Sequence, residues 1–141
     1  MSQPEQRQGD GGVLEIQGAL TEETETAIQR FGEAFNRHDL DAVMAAMTED
    51  CILDSIFPLP DGTRFEGRDA IRAHWEELFS SSSQSVFETE EMFAVGDRCV
   101  FRWNYRWVGE DGTHGHMRGI DVFRVLGGKV AEKLVYAKAN P

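Results

Sequence analysis

Asp121 sits in the middle of Gly119–Glu132, GIDVFRVLGGKVAE, an otherwise strand-forming run. Aspartate disfavours strand interiors, and an ionised carboxylate in an apolar layer needs a partner or a shifted pKa. Facing a cavity, Asp121 can serve as general acid or base, or as a protonated donor to a developing oxyanion. Facing water, it is an ordinary surface acid paired with Arg102 or Arg118. His74 lies on one apolar stripe with Ile71, Trp75 and Leu78. It is either a satisfied core histidine or the partner of Asp121. Asp54 and Ser55 are neighbours in a strand-forming segment, so one of them faces inward. Tyr105 and Tyr136 offer hydroxyl donors but serve equally well as core aromatics. His114 and His116, two apart beside a turn, lack clear acidic or thiolate company, and no metal is assigned to them. The chain has no G-x-S-x-G, no phosphate loop and no dinucleotide fingerprint, so no cofactor is expected.

These residues need elements to hold them. Thr21 reads as an N-cap with Glu22, Glu23 and Glu25 in the first turn, where the helix dipole favours anions. Ala27, Ile28, Phe31, Ala34 and Phe35 form one apolar face of a helix ending near Arg37-His38. Asp39 caps a shorter helix that buries Val43, Met44 and Met47. Residues 51–57 read as a strand, broken by Pro58-Leu59-Pro60-Asp61-Gly62. Gly67–Phe79 reads as a third helix and Ser80–Ser83 as a loop. Beyond Val86 the apolar period becomes two. Gly96-Asp97, Asp111-Gly112 and Gly127-Gly128 then mark hairpin turns between four strands of about ten residues, longer than the usual five or six. Long strands twist and bulge, and helices can pack in the concave side. The expected fold is α+β and cone-shaped: three N-terminal helices in the concave side of a curved, mainly antiparallel sheet, made of a four-stranded meander plus the strand near 51–57. Residues 1–20, rich in Gln and Gly, are expected to form a mobile tail, and 21–141 a single domain.

Register predicts facing. Across Gly127-Gly128, Val125 opposes Val130, Phe123 opposes Glu132, and Asp121 opposes Leu134. A wet basic face then carries Arg118, Arg124, Lys129 and Lys133. Asp121 points inward with Phe123, Val125, Val130, Leu134 and Tyr136. Across Gly96-Asp97, Glu91 opposes Arg102, leaving Met92, Phe101, Trp103 and Tyr105 inside. The two assignments agree only if the middle hairpin has a loop of three or five residues, or a bulge; a strict two-residue turn would put Asp121 on the face of Arg102.

The formal charge of −11 argues against nucleic acid and against an anionic membrane surface. No apolar run reaches the roughly 18 residues that span a bilayer, and no secretory leader is read at the start. Cys51 and Cys99 lack metal or redox spacing and read as small apolar residues of a reducing cytoplasm, with a disulfide between them left open.

The segments FNRHDLDAVMAAMTEDC, EGRDAIRAHWEELF and GIDVFRVLGGKVAE, in this order, resemble the nuclear transport factor 2-like superfamily, most closely its SnoaL-like and ketosteroid isomerase-like branch, over about residues 21–138. The resemblance puts Asp121 where SnoaL-like polyketide cyclases keep an acid/base Asp and ketosteroid isomerases the Asp of their oxyanion hole. Phe31 falls on the isomerase's Tyr and has no hydroxyl; Ser55, with Asp54 beside it, falls on the general-base Asp. Arg102 and Asn104 fall on an epoxide hydrolase's Arg-x-Asp, and Val135 on its second carboxylate. The resemblance implies a homodimer through the outer face of the sheet. It also implies a cavity for a small apolar, carbonyl-bearing molecule. Asp121, His74 and Asp54 are then the catalytic candidates. Phe31, Phe35, Ser55, Trp75, Phe101, Trp103, Tyr105 and Tyr136 are the ligand-binding ones. Two functions fit: cofactor-free proton transfer next to a carbonyl, or a non-catalytic binding or dimerisation module.

Overall fold

A computed structural model describes residues 3–140, the side chains of residues 3–14, 82 and 83 excepted. The first helix, α1, runs from Gln3 to Asn36. Thr21 is therefore inside it and not at its cap, its hydroxyl donating to the Gln17 carbonyl at 2.8 Å. The expected mobility of residues 1–20 falls mostly outside the described side chains. The stripe Ala27, Ile28, Phe31, Ala34 and Phe35 is buried as its spacing requires. Thr24 is buried beside it, and its Oγ1 donates to the Gly96 carbonyl at 2.6 Å. The Gly96 amide in turn donates to Thr21 Oγ1 at 2.9 Å, so the helix is tied to a hairpin turn.

Helix α2 spans Leu40–Ala45, with Asp39 as N-cap accepting from the Ala42 amide. Strand β1 is Met47–Asp54, four residues earlier than expected at its start, and a short β2, Arg64–Glu66, pairs antiparallel with it. Helix α3 runs Arg68–Ser81, and β3 begins at Ser82, so the serine run is helix end and strand start instead of a loop. The meander follows: β3 Ser82–Val95, β4 Arg98–Gly109, β5 His114–Leu126 and β6 Lys129–Lys138. The sheet order is β2-β1-β6-β5-β4-β3, with β1 and β6 parallel and the other neighbours antiparallel. This is the α+β architecture expected, the helices packed on one face of a curved sheet. The core between them holds Phe31, Phe35, Trp75 and Phe123, whose rings meet edge-on or tilted at 5.3–6.1 Å. No helix of the described residues is long and apolar enough to cross a membrane.

Three irregularities decide facing. In the middle hairpin the Gly109 amide donates to the Thr113 carbonyl, and Gly112 takes φ +81°, so the loop is the three-residue one. Asp121 then pairs with Phe101 and shares its face. In β3 the register shifts between Thr89 and Glu91. In β6 it shifts at Val130-Ala131, where Val125 pairs with Val130 but Arg124 with Glu132. That bulge reverses every residue beyond it: Phe123 pairs with Lys133 and Asp121 with Val135. Lys133 turns inward, 6% exposed, against the expectation of a wet basic face. Tyr136 turns outward, 60% exposed, and is removed from the candidate cavity.

Candidate functional site

Two cavities lie between helices and sheet. The first, of about 260 Å³, is bordered by Phe31, Phe35, Met92, Phe101, Asp121 and Lys133 among others. The second, about 410 Å³ and more aromatic, is bordered by Ser55, His74, Trp75, Trp103, Tyr105 and Lys133 among others. Phe35, Phe87 and Lys133 border both.

Asp121 is 3% exposed. Its Oδ2 stands 3.3 Å from Lys133 Nζ, and both side chains are at least nine-tenths buried. The other oxygen, Oδ1, has no hydrogen-bond partner among the described residues. Desolvation pushes the Asp121 pKa above the usual carboxylate range, while the Lys133 ammonium and the nearby Trp103 indole N–H oppose that rise. The indole stays outside hydrogen-bond geometry, so Trp103 Nε1 is also unpartnered. Lys133 Nζ lies 6.0 Å from the Phe123 ring centroid. Arg102, the expected surface partner of an outward Asp121, instead pairs with Glu90 at 3.0 Å and Glu91 at 3.6 Å.

Trp103 owes its position to Gly119, its cross-strand partner. A Cβ there would lie 2.6–2.7 Å from two indole carbons and from the Tyr136 carbonyl. Gly119→Ala is expected to cost about 1–3 kcal/mol by overpacking and to shift the tryptophan emission as the indole leaves the carboxylate. Thermal denaturation and fluorescence check both.

His74 borders the second cavity and stacks on Phe65 at 4.5 Å. It does not border the cavity of Asp121; Lys133 lies on both. Desolvation lowers the His74 pKa, Glu77 counteracts this, and Lys133 adds to it. A histidine depressed on folding stabilises the fold above its unfolded value, about 6.5, and loses that contribution as pH falls through the folded value. His74→Phe should therefore flatten the loss of stability between about pH 7 and pH 5, read from urea midpoints.

Asp54 is not brought to either cavity. It pairs with Arg64 and with Leu134, on the face opposite Leu53 and Lys133. Ser55 borders the second cavity, but its hydroxyl donates to the Thr63 carbonyl at 3.0 Å and accepts from the Thr63 amide at 3.2 Å. Tyr105 borders the second cavity with its hydroxyl unpartnered and its ring stacked on Phe87 at 4.4 Å. Lys133 and Phe87 were missed from sequence, and so was Trp107, which borders the second cavity. The signal for Lys133 was Val130-Ala131, two consecutive apolar residues in an alternating strand. Cys51 and Cys99 are free and buried, and burial pushes the Cys99 thiol up to about 11. Among the described residues no cluster of His, Cys, Asp and Glu could hold a metal.

A curved six-stranded sheet with helices packed on one face is the nuclear transport factor 2-like fold. Residues 28–133 match the SnoaL-like domain, and the chain belongs to that family. An NTF2-like protein of unknown function from Mesorhizobium loti is 33% identical, covering 84% of this chain and 93% of that one, with a TM-score of 0.71. A putative polyketide cyclase from Xanthomonas campestris pv. campestris is 23% identical, covering 84% and 93%, with a TM-score of 0.70. TerC, co-crystallised with polyporic acid, is 16% identical, covering 82% and 92%, with a TM-score of 0.71. Comparison with curated protein sequences gives no match.

Proposed function

We propose that this protein binds a small, largely apolar, carbonyl-bearing molecule and moves a proton next to the carbonyl without a cofactor, Asp121 being the acid/base. One observation carries the reading: a buried carboxylate on the border of a phenylalanine-lined cavity, its Oδ2 held by an ammonium and its Oδ1 without a hydrogen-bond partner among the described residues. Held this way, the acid has one oxygen fixed and one free to take a proton, and a raised pKa makes it a stronger base near neutrality. Membership in the SnoaL-like family, and the fold shared with a putative polyketide cyclase and with TerC, co-crystallised with polyporic acid, support an organic ligand. The second reading, a binding module without catalysis, is favoured by the same ion pair, which explains a buried acid without any chemistry.

The two are separated by hydrogen–deuterium exchange. In D₂O the wild-type protein should accelerate exchange at the activated carbon of 2-tetralone, followed by proton NMR, and Asp121→Asn should lose the acceleration. A protein that binds the ketone with no exchange above buffer, or exchanges it equally well as Asp121→Asn, leaves the binding module as the function.

We also propose a homodimer through the outer face of the sheet, where Phe93 is 51% and Tyr136 60% exposed. Light scattering should give a dimer mass, and Tyr136→Glu should lower it toward the monomer.

A further inference from the structure

Both cavities meet at Lys133, which they share with Phe35 and Phe87. The two phenyl rings stand edge-to-face at 5.2 Å, and both border each cavity. An ammonium has three N–H donors. Asp121 is its only charged partner within 4 Å among the described residues, and no other hydrogen bond from Nζ is found among them. A buried ion pair repays its desolvation only when further hydrogen bonds satisfy its remaining lone pairs and protons. Here both partners border empty space, and each has capacity unspent.

Resting on the proton-transfer reading above, we propose that Lys133 is a second catalytic residue. It is the electrophile that takes the carbonyl oxygen of a ligand laid across both cavities and holds the oxyanion formed when Asp121 removes the neighbouring proton. The C–H bond breaks and an O–H bond forms at Asp121 Oδ1. The C–H electron pair becomes the new carbon–carbon π bond, and the carbonyl π pair moves onto the oxygen that Lys133 holds. Before the step the site contains a carboxylate and an ammonium; after it, an enolate and the same ammonium. One opposite pair replaces another, so no additional ion is created where desolvation is costly. Return of the proton from Asp121 closes the cycle.

The position of Lys133 also narrows the ligand class. A carbonyl held by Lys133, which borders both cavities, has apolar lining on either side. The fitting molecule is a ring-bearing ketone with its carbonyl inside the skeleton, not an aldehyde at one end.

The test uses binding, which does not depend on turnover. Asp121→Asn imitates the protonated acid, and 4-nitrophenol, whose anion absorbs in the visible, imitates the oxyanion. Spectroscopic titration should show Asp121→Asn holding nitrophenolate at least about tenfold tighter than wild type, the size of one hydrogen bond to a charged group. The gain should persist in Asp121→Asn with Lys133→Arg and vanish in Asp121→Asn with Lys133→Met. That last variant has no buried charge at the site, which protects its folding. Equal phenolate affinity with and without Lys133 would overturn the proposal. So would a ketone-dependent mass gain at Lys133 after borohydride reduction, which would mark a covalent imine. No 2-tetralone exchange above buffer in the wild type, with the phenolate gain intact in Asp121→Asn, would instead sink the proton-transfer reading and leave Lys133 as an oxyanion site.

Discussion

Lys133→Met is expected to lower the folding free energy by about 3–5 kcal/mol near pH 8, while the same change combined with Asp121→Asn costs far less. The single variant leaves a carboxylate, 4% exposed, with no counter-charge. The double variant leaves a neutral amide beside a thioether. The single penalty should also depend on pH. Asp121 already has its pKa raised by desolvation, and the ammonium is among the groups that hold it down. Removing that ammonium raises it further. An acid whose pKa rises on folding stabilises the fold below its unfolded value, near 4, and loses that contribution as pH rises through the folded value. The Lys133→Met penalty is therefore small in mild acid, where Asp121 takes a proton, and full in mild base. Urea denaturation across pH 5–8 reads both features. A penalty that is flat with pH, or equal in single and double variants, would mean that the two charges do not interact.

Asp121→Asn should lower the exchange rate of 2-tetralone by about 10²–10⁴, the contribution of a positioned general base. Only the carboxylate can take the proton, so the wild-type rate should rise with pH through the Asp121 pKa and level off above it. Because that pKa is raised, the rise belongs above the ordinary carboxylate value of about 4. Lys133→Arg keeps a cation and should keep the profile near its wild-type position. Lys133→Met should move it to higher pH. A rate that shows no carboxylate titration, or one that Asp121→Asn leaves intact, would place the chemistry elsewhere.

The helices after Thr21 and the four strands of the meander were legible in the chain because they rest on local patterns, whereas the facing of Asp121 hung on the length of one loop. The apolar stripe from Ala27 to Phe35 specifies α1's buried face. The turn glycines specify the hairpins, and Asp111-Gly112 with its flanking residues allowed the three-residue loop that puts Asp121 beside Phe101. Lys133 and Tyr136 were misplaced for one physical reason. Strand facing has a period of two, so a single extra residue at Val130-Ala131 exchanges inside for outside along the rest of β6. The same error hid the ion pair, which needs Asp121 and Lys133 on one face. Asp54 fell outside the cavities because it alternates with buried Cys51 and Leu53, and β1 pairs Leu53, not Asp54, with Lys133. Thr21 failed as a cap because its segment continues as helix from Gln3, and its hydroxyl bonds back one turn.

All of the chemistry assigned here depends on a carboxyl group that is dry, faces a hollow and touches one ammonium. Carbon-13 NMR of the Asp121 side-chain carboxyl, followed through a pH titration, reads that state directly. The expected curve has its midpoint above 4, and the midpoint moves higher in Lys133→Met. A midpoint at the ordinary carboxylate value that ignores Lys133→Met would contradict the account.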